Sequence, residues 1–164
     1  MEIILKWKNA NKGGYPVGLH QFLAIEVGES GGVFNATETK AIGSSMINRI
    51  NQAGTSLYDP NWLTKISYGG NTKTNFVAIN GHNVDYNAVM GMSMGQIMNS
   101  RNPVIQAAIS SYNNWGTDYS NPNGFADTGS YFWNATGGLG RSQYNSTGYV
   151  ITLTAGGTTF YRSR

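Results

Sequence analysis

The chain is expected to fold as an α+β domain, mainly α, with a small β-hairpin element. Three observations carry that expectation. Apolar residues recur at three- and four-residue spacing in several separate runs, and two of those runs carry explicit helix-start signals. The C-terminal stretch then switches to alternation around a Gly-Gly pair. With 164 residues, the chain is expected to form one domain spanning 1–164, since that length buries roughly two-thirds of its unfolded surface in a single core.

Residues 1–16 read as a short strand (Ile3, Ile4, Leu5, Trp7) and a turn containing Gly13-Gly14. From Val17 to Gly28 the pattern is helical, with Leu19, Phe22, Leu23, Glu26 and Val27 on one face. Gly28 and Gly31-Gly32 end it. A second helix starts at Asn35, a good N-cap with Glu38 three residues later in a capping-box arrangement, and continues through Ala41, Ile42, Ser45, Met46 and Arg49 to Asn51. Asp59-Pro60-Asn61-Trp62 turns into a short helix ending at Ile66. Tyr68 to Asn83, rich in Gly, Asn and Thr, reads as a functional loop or short hairpin. Asp85 to Ser100 is a helical segment loosened by Gly91 and Gly95, its Met residues forming adaptable core. Asn102 and Pro103 start the best-defined helix, with Ile105, Ala108, Ile109 and Tyr112 on one face. Asn113 to Gly140 reads as loop, and Tyr149 to Tyr161 as a terminal hairpin turning at Gly156-Gly157.

Only 12% of residues are charged, so polarity comes from Asn, Gly, Ser, Thr and Tyr. Such a surface suits hydroxyl- and amide-rich ligands, because rings stack on sugar faces and amides pair with hydroxyls. The net charge of +3 favours an anionic polymer. The basic residues are scattered with no interleaved aromatics, so no nucleic-acid partner is expected. The chain has no Cys, which excludes thiol catalysis, disulfides and thiolate metal sites. Two histidines, His20 and His82, are too few for a zinc hydrolase. No metal and no cofactor are expected. No run of 18 apolar residues occurs, so no membrane span is expected.

The carboxylates carry the chemistry. Glu26 and Glu29 sit together in Glu26-Val27-Gly28-Glu29-Ser30-Gly31-Gly32. Glu29 falls at the edge of the apolar stripe, just before a Gly-rich break. Burial beside apolar groups raises a carboxyl pKa, as a proton donor near neutral pH requires; the plainer alternative is a solvated Glu at a helix end. Glu26 projects nearer the stripe's centre, and is either paired in the core or an alternative acid. Glu38 is a candidate second carboxylate to activate water or stabilise an oxocarbenium-like transition state, although the capping box explains it as well. Asp118 and Asp127 flank an aromatic loop ending at Tyr131-Phe132-Trp133 and are candidates to line a sugar subsite; turn chemistry is the alternative.

Glu29-Ser-Gly-Gly, then Glu38, Ala41-Ile42 and Met46-Ile47-Asn48-Arg49, resembles the opening of the SleB-type cell-wall hydrolase family. The Glu-Ser-Gly-Gly element is also similar to that of the lytic transglycosylases of the lysozyme-like superfamily. Ile105 to Ile109, Gly116-Thr-Asp118 and Tyr131-Phe132-Trp133 are similar to the family's later helix, loop and aromatic end, and Phe76 to its substrate-lining Phe. The Asp118 loop departs by having Tyr-Ser where the family has Pro-Thr.

The resemblance implies a lysozyme-like helical domain that cleaves the β-1,4 bond between N-acetylmuramic acid and N-acetylglucosamine. Glu29 would be the general acid, Glu38 a second catalytic carboxylate, and Phe76, Asp118 and Trp133 substrate-binding residues. The partner it implies is the peptidoglycan glycan strand. A non-catalytic glycan-binding module is the rival from another class, and a His82-dependent nuclease a third reading. Met1 to Lys8 shows no signal-peptide pattern. The expectation is action in the periplasm or on the wall after delivery by a secretion system, a holin or a larger parent protein. An antibacterial effector of that kind implies a cognate immunity protein.

Overall fold

The computed structural model describes residues 14–31, 33–122, 129–136 and 148–163. The strand expected at Ile3, Ile4, Leu5 and Trp7 lies outside them. The described chain is mainly helical with one small antiparallel sheet, an α+β arrangement dominated by α.

Helix α1 (Leu19–Glu29) is the centre of the molecule. Leu19, Phe22, Leu23, Ala24, Ile25, Glu26 and Val27 are all buried, so the helix is enclosed on nearly every side rather than along one stripe. Helix α2 (Ala36–Ala53) packs beside it. The Asn35 carboxamide oxygen accepts the Glu38 N–H at 3.0 Å, and Gly54 closes the helix at φ 65°, a left-handed cap that glycine adopts without strain. Helix α3 (Trp62–Ile66) follows.

The segment after it is not a hairpin. It is a string of short helical pieces: a 3₁₀ turn (Tyr68–Gly70), α4 (Thr72–Asn75) and a second 3₁₀ turn (Val77–Asn80). One side chain explains much of this. The Asn75 amide accepts the Tyr68 N–H at 3.1 Å and donates to the carbonyls of Tyr68 and Asn71 at 3.2 and 2.8 Å, satisfying backbone groups a hairpin would have paired.

The Met-rich segment splits into α5 (Val84–Met90) and α6 (Met94–Met98). The break comes where Ser93 and Gln96 form a capping box that starts a new helix. Helix α7 (Pro103–Asn113) begins as expected, with the Asn102 carboxamide oxygen accepting from Val104 and Ile105. α1 is thus surrounded by α2, α5, α7 and the Val77–Asn80 turn. Phe22 lies 6.1 to 6.4 Å from the rings of Trp62, Tyr112 and Trp115, at the heart of the helical core.

The expected hairpin is present as strands β2 (Tyr149–Ala155) and β3 (Thr158–Ser163), and a further strand, β1 (Phe132–Ala135), joins them. Gly156 turns the hairpin at φ 58°. β1 lies in the region read from sequence as loop. It pairs with β3, giving the antiparallel order β1-β3-β2 with Trp133 opposite Phe160 and Asn134 opposite Thr159. A register shift between Ile151 and Leu153 bends β2. Both β1 and β2 contact α2, and wholly buried Phe160 joins the sheet to the helical core. No helix of the described residues is long and apolar enough to cross a membrane.

Candidate active site

Helix α1 ends at Glu29, and the chain then turns sharply. Ser30 is extended (φ −66°, ψ 142°), its hydroxyl donates to the Glu26 carbonyl at 2.8 Å, and it lies 2.9 Å from the Thr39 hydroxyl of α2. These bonds fix where the helix stops and so where the Glu29 carboxyl points. It points into a cleft of about 620 Å³ between the end of α1, the C-terminal part of α2, the Tyr68–Asn75 segment and the sheet. Glu29, Arg49, Tyr68, Asn75, Trp133 and Asn134 are among its lining residues, with Gly157-Thr158 of the hairpin at one end.

Glu29 is half-buried. Its Oε1 accepts the Ala78 N–H at 3.1 Å, and its carboxyl also accepts from the Trp133 indole N–H. Burial pushes its pKa up, while the bonds from Ala78, Trp133 and Val77 and the Arg49 charge pull it partly back. The net direction is upward, so the carboxyl keeps its proton closer to neutral pH than an exposed Glu does. Among the described residues it is the one carboxylate that lines the cleft.

Arg49, from α2, forms the floor. Its guanidinium lies 4.6 Å from the Tyr68 ring centre, 5.3 Å from Phe76, 5.6 Å from Phe132 and 5.8 Å from Trp133. It also donates to the Asn75 Oδ1 at 3.4 Å. Tyr68 and Phe132 stack at 5.3 Å, and Tyr149 meets Phe132 edge-on at 5.1 Å, which extends the aromatic surface across the sheet.

The other residues singled out from sequence fall in different places. Trp133 lines the cleft and touches Glu29. Phe76 is wholly buried: it backs Trp133 at 5.9 Å and stands behind the wall rather than on it. Glu38 is buried too, and its capping box closes only halfway. Its carboxylate reaches the N–H of Gly31 and, at 2.9 Å, that of Gly157, tying the loop after Glu29 to the hairpin turn. Glu38 therefore holds the two cleft walls together from behind.

Asp118 organises its own loop. Its Oδ1 accepts from the Ser120 N–H and hydroxyl at 2.9 and 2.6 Å, and its Oδ2 from Gly129 and Asn48 at 2.8 and 3.0 Å. That is turn chemistry, and Asp118 is not among the cleft's lining residues. Asp127 lies outside the described residues. Asn48 also donates to the Ser130 carbonyl at 2.9 Å, so the Asn-Arg pair divides its work: Asn48 fixes the loop before β1, and Arg49 faces the cleft.

Glu26 is fully buried at the junction of α1, α2 and α7, where the Ser111 hydroxyl donates to its Oε1 at 2.5 Å. Burial pushes its pKa well above the ordinary value, and its Oε2 has no hydrogen-bond partner among the described residues. It is a core acid and not among the cleft's lining residues. His20 bonds the Val89 carbonyl at 2.8 Å, and His82 is exposed in a turn. Among the described residues no three His, Asp or Glu side chains gather as a metal-holding group.

Sequence reasoning missed Tyr68, Asn134 and the cleft role of Arg49. For Arg49 the signal was present, as the polar end of an otherwise buried helix face. Tyr68 opens the segment read from sequence as a functional loop or short hairpin, whereas nothing pointed to Asn134, whose position depends on the unforeseen strand β1. Comparison with known families, curated proteins and solved structures gives no match for this chain, so the cleft's own residues carry the reading of what it does.

Proposed function

We propose that the chain is a peptidoglycan glycosidase that cleaves the β-1,4 bond between N-acetylmuramic acid and N-acetylglucosamine, with Glu29 as general acid. The observation that carries this reading is the setting of Glu29: a half-buried carboxyl with raised proton affinity, on the wall of an open cleft lined by the aromatic rings of Tyr68, Phe132 and Trp133. Aromatic faces suit sugar rings, and a carboxyl protonated near neutral pH suits a glycosidic leaving group. The motif likeness to cell-wall hydrolases and lytic transglycosylases, and the net charge of +3 toward an anionic wall, support the same reading.

In the proposed reaction, the Glu29 proton passes to the glycosidic oxygen as the C1–O4 bond breaks. Hydrolysis by the usual two-carboxylate scheme would need a second carboxylate, as base or nucleophile. Glu38 instead accepts from two backbone N–H groups behind the wall. With Glu29 the one carboxylate lining the cleft among the described residues, transglycosylation is favoured: O6 of the muramic residue attacks C1, its proton goes to Glu29, and a 1,6-anhydro sugar results. The place of action would be the wall, reached by a secretion system, a holin or a larger parent protein, with an immunity protein as partner in the effector case.

A non-catalytic glycan-binding module would use the same Tyr68–Phe132–Tyr149 surface. Glu29→Gln separates the two. The proposal expects the wild type to solubilise purified sacculi, and the folded variant to bind them yet lose activity by about 10² to 10⁴-fold. Equal solubilisation by both proteins would remove Glu29 from the chemistry, and binding without release by both would leave a binding module.

A further inference from the structure

Arg49 is only 6% exposed, an unusual place for a guanidinium. Four aromatic faces surround it, and it donates to a neutral amide oxygen, that of Asn75. A buried cation is costly unless its surroundings repay the lost water. Ring faces within about 6 Å of the guanidinium offset part of that cost, and a planar guanidinium can lie flat against them. The box thus fixes a charge on the cleft floor. One of its walls reaches Glu29 directly: Trp133 turns its ring to Arg49 and donates its indole N–H to the Glu29 carboxyl.

We propose that Arg49 is the positioning residue of this site, a cation boxed by Tyr68, Phe76, Phe132 and Trp133 whose fixed charge, with the Trp133 it steadies, keeps Glu29 able both to give a proton and to take one back. The proposal rests on the reading of Glu29 as proton donor. Burial raises a carboxyl's proton affinity, and a nearby cation or N–H donor lowers it again, which eases release of the proton. The Ala78 N–H, the Trp133 indole N–H and the Val77 N–H offset that burial, and the Arg49 charge adds to them from the same cleft. The other titratable groups around Glu29 are Tyr68 in the cleft, Glu38 behind Gly31, Tyr86 of α5 packed at Gly28, and Glu26 earlier on α1.

The test is a carboxyl-carbon NMR titration of Glu29, its resonance assigned by its loss in Glu29→Gln, in the wild type and in Arg49→Gln, Arg49→Lys and Tyr68→Leu. Arg49→Gln should shift the midpoint upward, and Arg49→Lys should restore part of the difference. Tyr68→Leu, which opens the box at its exposed side with the charge retained, should give a smaller upward shift. The alkaline limb of the pH–rate profile should move up with the midpoint in Arg49→Gln. An unchanged midpoint in folded Arg49→Gln overturns the proposal. If that variant does not fold, an unchanged midpoint in Tyr68→Leu does so. A wild type inert on sacculi would sink the glycosidase reading alone, because the titration needs no turnover.

Discussion

Glu26 and Glu29 lie three residues apart on one helix, and their surroundings give them opposite fates. Glu29 ends at an open cleft with donors and a cation around it, so its proton can move. Glu26 is sealed among α1, α2 and α7 beside the Ser111 hydroxyl and Gly43, where an added Cβ would collide with its Oε1. A carboxyl whose folded pKa is raised binds more protons folded than unfolded. Its contribution is therefore full below the ordinary value of 4.5 and is lost as pH rises through the folded value. Urea denaturation across that range should show wild-type stability falling with pH, and Glu26→Gln should flatten the slope. A parallel slope in the variant would mean that Glu26 is ionised in the fold. Gly43→Ala should cost about 1–3 kcal/mol in the same assay, through overpacking against Glu26 and Ser111. A 3.6-residue period places Glu26 between apolar neighbours, but spacing alone leaves it either paired in the core or an alternative acid. Which acid faces the cleft rested on the Gly break after Glu29, and it is Glu29 that lines the cleft.

Among the secondary-structure elements, the helices were legible where they carry local signals. Asn35 and Asn102 each accept N–H groups of the turn they start, and a cap is a short-range interaction that sequence displays. The Ser93–Gln96 box is equally local, yet the segment holding it reads from sequence as one helix loosened by Gly91 and Gly95. Strand β1 was hidden for the opposite reason. It has four residues, no clear alternation, and a partner that arrives only with β3. Glu38 shows the same limit: its cap position was readable, but its carboxylate serves Gly157, far along the chain. Removing it leaves two backbone donors of the cleft walls without a charged partner. Glu38→Ala should thus cost about 3 kcal/mol in denaturant unfolding. Glu38→Gln, which keeps one acceptor oxygen, should cost less, with turnover following stability. A stable Glu38→Gln without turnover would instead make Glu38 a second catalytic carboxylate.

In the molecule as a whole, a helical core orients one acid and a small sheet supplies the facing aromatic wall. α1 is locked by burial on nearly every side, so the core and the Ser30 bonds that end the helix together set the direction of Glu29. Arg49 and Glu38 both come from α2, one facing the cleft and the other behind it, which makes that helix the frame of the site. The motif likeness named the acid from local residues, whereas the Arg49 box joins separate segments of the chain and has no sequence pattern. Glycan cleavage by Glu29 is tested most directly by mass spectrometry of muropeptides released from purified sacculi. Soluble fragments ending in 1,6-anhydromuramic acid are expected from the wild type and none from Glu29→Gln. Reducing ends would replace transglycosylation with hydrolysis, and no fragments from the wild type at any pH between about 4 and 8 would contradict glycan cleavage itself.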